Sequence, residues 1–165
     1  MTAKKSALSA ALDRLATATV AIAGASIVAM AAVEGWQVFA RYVLDAAPGW
    51  TEPLALFCMG TTMMFGAAAG VRSNRHFGFF IFMDSARPAV RRVLQIFAGL
   101  IAAATGVMLA LWGGEMTVDA WDYRMAGAPL PQGLSYLPLC LGGALIAVFA
   151  IERILVPEVA PVAAE

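Results

Sequence analysis

The chain is 165 residues long, 61% hydrophobic and only 13% charged, with a mean hydropathy of +0.78. Soluble domains carry about 45–50% apolar and about 25% charged residues, so this charge supply excludes a water-facing surface and points to one domain, residues 1–165, integral to a membrane. Eleven basic residues balance eleven acidic ones, which excludes a nucleic-acid binder, and Cys58 and Cys140 lie in separate apolar runs with no CxxC pair, which excludes a disulfide framework.

Four uncharged runs supply the roughly 20 residues that a membrane helix needs. They are Leu15 to Val33, Pro53 to Val71, Val93 to Gly114 and Gly133 to Ile151. With their flanks they predict an all-α, polytopic fold of four transmembrane helices over about 15–43, 51–72, 91–114 and 133–154. Before the first span, Leu8, Leu12 and Leu15 follow helical spacing opposite Ser6, Ser9 and Asp13, which suits a short helical start lying on the membrane surface. Lys4 and Lys5 precede an apolar stretch that outlasts the roughly 7–15-residue core of a signal peptide, so it reads as an uncleaved anchor. The span continues through Glu34 and Arg41 to Val43.

Within the second span Gly66 and Gly70 form a GxxxG spacing. After it, Phe77 to Met83 is too short to cross a bilayer; it either lies flat in the interface or folds against the helix ends. The flanking Arg87, Arg91 and Arg92 are placed to meet lipid phosphates. In the third span Gly99, Ala103, Gly106, Ala110 and Gly113 recur at steps of four and three, one stripe of small residues that suits close helix packing inside the chain or against another protein. The fourth span holds Gly142 and Gly143. The Pro- and Ala-rich tail, 156–165, is expected to fray.

Charge alternates between the connections. The N-terminal segment (Lys4, Lys5, Arg14) and the second connection (Arg72, Arg75, Arg87, Arg91, Arg92) are basic. The first (Asp45, Glu52) and third (Glu115, Asp119, Asp122) are acidic. The positive-inside rule therefore puts both termini in the cytoplasm. Trp36, Tyr42, Trp50, Trp112, Trp121, Tyr123 and Tyr136 then fall on the outer side as an interfacial belt.

Glu34, Gln37 and Arg41 fall at i, i+3 and i+7 on one helix face. An ionisable group at membrane depth marks a proton or substrate site, but the nearby Trp36, Tyr42 and Trp50 favour an anchoring cluster at the outer interface, where burial costs little. Arg41 is expected to pair with Glu52 across the short first loop. His76 is the single histidine. Metal-ligand spacing, a phosphate loop and nucleophile motifs are missing, so no enzyme, cofactor or metal site is expected. The alternative that keeps transport chemistry in this chain is a small homo-oligomeric, proton-coupled transporter using Glu34.

The run Gln37-Val38-Phe39-Ala40-Arg41-Tyr42-Val43-Leu44, then Pro48, then Trp50-Thr51-Glu52, resembles the signature of the small membrane subunit of the tripartite ATP-independent periplasmic (TRAP) transporters. The resemblance continues through Gly66-Ala67-Ala68, Arg72 and His76, and more weakly through Pro129, Tyr136, Pro138 and Gly142. The chain differs from the family pattern at Pro53, where a second acidic residue is common, and at Asp45, where asparagine is common. Phe77-Gly78-Phe79-Phe80 also replaces an apolar residue and aspartate after the histidine.

What the resemblance implies is a non-catalytic subunit of a sodium-coupled carrier of organic acids, carboxylates such as C4-dicarboxylates or sialic acid, in the bacterial inner membrane. Its partners would be a large membrane subunit that binds substrate and sodium and moves by an elevator-type motion, and a periplasmic substrate-binding protein. The small subunit would brace the large one and help dock the binding protein. Glu34, Gln37, Arg41, Trp50, Glu52, Gly66 and Gly70 are the residues expected to serve the partner subunit or the fold, and Arg87, Arg91 and Arg92 to touch membrane phospholipid.

Overall fold

The computed structural model describes residues 7–46, 48–73 and 88–155. The described residues form four long helices: α1 (Ala7–Val43), α2 (Thr51–Arg72), α3 (Pro88–Asp119) and α4 (Leu137–Leu155), the last preceded by a 3-10 turn, Gln132–Tyr136. All four are long and apolar enough to cross a membrane, and no strand occurs among the described residues. The Phe77–Met83 segment, Arg87 and the 156–165 tail lie outside the described residues.

Two helices run beyond their expected spans. α3 starts at Pro88 and runs to Asp119, beyond both ends of the expected span. The segment around Leu12 is not a separate surface helix but the opening turns of α1. No glycine or proline interrupts the chain there, and Leu12 and Ala16 pack against the core cluster of Ala68, Val71, Ala102, Ile146, Phe149 and Ala150.

The helices neighbour one another in the order α1–α2–α4–α3. The small residues dictate this order. Gly142 and Gly143 are consecutive, so they point about 100° apart on α4. Gly142 lies against Met64 of α2. Gly143 lies against α3, where an added Cβ would come 2.6 Å from the Ala110 nitrogen. The stripe on α3 meets the same flank of α4: a Cβ on Gly113 would sit 2.7 Å from the Cys140 nitrogen, and one on Gly99 2.7 Å from Ile154 Cγ1. The stripe is therefore spent on internal packing, with backbones in the close approach that only small residues allow. α2 and α4 are the inner pair, and α1 and α3 flank them with most of their surface open.

Candidate functional site

Polar chemistry collects at the two ends of the helix layer. At one end, called here the Arg72 end, the guanidinium of Arg72 bridges two other helices. Its Nε donates to Glu152 Oε2 of α4 at 2.9 Å, and its Nη2 donates to Glu152 Oε1 at 3.1 Å and to Asp13 Oδ1 of α1 at 2.8 Å. The two-pronged fork to one carboxylate is the strong form of such a pair. Arg72 and Glu152 are mostly covered, with side chains 21% and 18% exposed, whereas Asp13 is 41% exposed. Cζ of Arg72 also lies 5.7 Å from the ring centroid of the fully buried Phe149. Next to it, Arg153 donates to the Val71 carbonyl at 2.9 Å and Arg92 to the Ile154 carbonyl at 3.3 Å. These two arginines cover the last carbonyls of α2 and α4, the negative ends of those helices. Arg91 and Arg92 are half-buried at the start of α3.

The opposite end, the Trp50 end, is built from the first and third connections. α1 closes with Asp45 in the left-handed region, φ 52°, so that Ala46 N–H turns back onto the Ala40 carbonyl at 3.1 Å. α2 then opens with the buried Thr51 donating its hydroxyl to the Pro48 carbonyl at 2.7 Å. The third connection folds back on itself, with Met125 N–H to the Leu130 carbonyl and Gln132 N–H to the Tyr123 carbonyl, both at 2.8 Å. The two connections interlock at Gly49 and Gly127. A Cβ on Gly49 would come 3.2 Å from the Gly127 Cα, and Gly127 itself needs φ +83°.

Of the residues singled out in the sequence, Glu34, Arg41, Trp50 and Glu52 are exposed at this end and Gln37 is half-buried. Trp36 and Phe39 stack at a tilt, centroids 5.8 Å apart, beside them on α1. The expected Arg41–Glu52 ion pair does not form. Glu52 instead borders a hollow of about 190 Å³ with Pro53, Leu56, Met125, Ala126, Gln132 and Ser135. It faces the third connection while Arg41 stays with α1, so the short loop between them does not bring them together. Gly66 faces open space and Gly70 is half-buried. The Arg72 bridge was not foreseen. Its signal was a lone carboxylate, Glu152, in the closing turns of an otherwise apolar run, opposite an arginine closing another.

Buried polar side chains among the described residues are Thr19, Thr51, Thr61 and Thr117. Each hydroxyl bonds its own backbone: Thr19 to Leu15, Thr61 to Phe57 and Thr117 to Gly113, besides Thr51 to Pro48. No buried side-chain polar atom among the described residues lacks a partner, and no group of three potential metal ligands occurs among them. Both cysteines are free thiols.

A search of the curated proteins finds no match to the chain. The family model of the tripartite ATP-independent periplasmic transporters, DctQ component, matches residues 30–157. That stretch takes in the Trp50-end cluster, the α3–α4 crossing and the Arg72–Glu152 bridge. With four helices able to cross a membrane and a family match over most of its length, the chain belongs to the DctQ family, the small membrane component of TRAP transporters.

Proposed function

We propose that this chain is the non-catalytic brace of a sodium-coupled TRAP carrier of organic acids in the bacterial inner membrane. Both termini face the cytoplasm, in keeping with arginine at the Arg72 end and carboxylates at the Trp50 end. The chain holds the static part of the large membrane subunit and contributes to docking of the periplasmic substrate-binding protein at the Trp50 end. Phospholipid phosphates lie against Arg91 and Arg92.

The observation that carries this reading is where polar groups are spent. A translocation path needs polar or ionisable side chains turned toward a cavity at membrane depth. The buried polar side chains of the described spans are threonines that satisfy their own helices, which makes rigid struts. The test is reconstitution into liposomes with and without the large subunit. Organic-acid uptake driven by a sodium gradient is expected only with both subunits and the binding protein. Uptake by this chain alone overturns the proposal.

A further inference from the structure

We infer that the hollow beside Glu52 receives a cationic side chain, an arginine by its geometry, from the large membrane subunit; this rests on the function proposed above. The hollow holds about 190 Å³ where the first turn of α2 meets the third connection. Its polar rim is Glu52, Gln132 and Ser135, and among the described residues none of these three side chains makes a hydrogen bond or ion pair. Its wall is apolar, with Pro53 and Met125 buried and Leu56 beside them. One carboxylate, one amide oxygen and one hydroxyl oxygen over an apolar wall match the two parts of an arginine. The methylene stem covers the wall and the flat fork of donors meets the oxygens.

Among the described residues, none supplies that cation. Arg41, the nearest arginine in sequence, makes no ion pair with Glu52. Asp45, Glu52, Glu115, Asp119 and Asp122 outnumber Arg41 and Arg124 at this end, so the local field favours an incoming positive charge. The direction of approach selects the partner. Glu52 and Leu56 are one turn apart on the same face of α2, so the hollow runs down the flank of the helix. A residue entering it comes from a protein standing beside this chain in the bilayer, not from a soluble one above it.

The test uses the two-subunit complex with Ala126→Cys on a Cys58→Ala, Cys140→Ala background. Ala126 is exposed and borders the hollow. A membrane-impermeant maleimide is expected to label the thiol readily in the chain alone and at least about tenfold more slowly in the complex. Separately, Glu52→Gln is expected to speed dissociation of the complex at least about tenfold. It should leave the melting temperature of the isolated chain unchanged, because Glu52 has no partner there. Equal labelling in both states overturns the inference. So does protection without a Glu52→Gln effect, protection of the isolated chain in phosphatidylethanolamine nanodiscs, or protection that appears only on adding the binding protein. Failure to recover any large partner instead overturns the proposed function itself.

Discussion

Gly106 and Gly143 meet backbone to backbone where α3 crosses α4: a Cβ built on either glycine would lie 2.8 Å from the carbonyl oxygen of the other. The nearest atoms at both positions are backbone, so an added methyl must push the helices apart. Gly106→Ala and Gly143→Ala are each expected to destabilise the isolated chain by about 1–3 kcal/mol, the usual cost of overpacking. Gly66, with open space around it, provides the contrast. Gly66→Ala is expected to hold or raise stability, since alanine favours helix over glycine by about 1 kcal/mol. Thermal unfolding in one detergent checks all three, and equal losses would contradict the packing described.

The Arg72 bridge should be unequal in its two arms. Glu152 receives two hydrogen bonds and is well covered, while Asp13 receives one and is 41% exposed. Glu152→Gln is expected to cost about 1.5–3 kcal/mol, as for hydrogen bonds to charged groups. Asp13→Asn is expected to cost less than about 1 kcal/mol, as for an exposed pair. A double-mutant cycle on Arg72 and Glu152 should return a coupling energy well above that for Arg72 and Asp13. Zero coupling on both arms would mean that the bridge does not form in solution.

Asp45 holds a left-handed backbone, which suits aspartate, asparagine or glycine and penalises branched side chains. Asp45→Asn is expected to be neutral, and Asp45→Val to cost about 1–2 kcal/mol. Equal melting temperatures for the two variants would refute the left-handed turn.

Arg41→Ala and Glu52→Ala are expected to change the stability of the isolated chain by no more than about 0.5 kcal/mol each, and additively, because the two side chains are exposed and unpaired with one another. Glu34→Gln is expected to leave uptake by the assembled transporter largely intact. A complete loss of uptake would move the transport chemistry into this chain, as the Glu34 alternative requires.

How much was legible follows from the range over which each signal acts. The α2 boundaries could be read off because an uncharged run ends sharply at Arg72. The α3 stripe could be read because one helix carries it whole. What periodicity left open was its partner, and that was decided on another helix by Gly142 and Gly143. The two charges that close α2 and α4 are legible in the sequence, but not their pairing: the members of the Arg72 bridge stand 59 and 80 residues apart, and only the α1–α2–α4 order brings them together. The same cause separates Arg41 from Glu52: they are near along the chain, but the turn at Asp45 and the placing of Glu52 against the third connection keep the two apart.

The first helix also works as a ruler. From Asp13, held by Arg72, to Arg41 it rises about 42 Å at 1.5 Å per residue. That matches the roughly 40–45 Å of a bilayer counted from headgroup to headgroup. A helix of this length brings both charged ends to polar depth when it crosses a bilayer. Lipids of longer or shorter acyl chains must stretch, compress or tip this helix while its foot stays tied to α2 and α4, so the protein carries its own preference for membrane thickness.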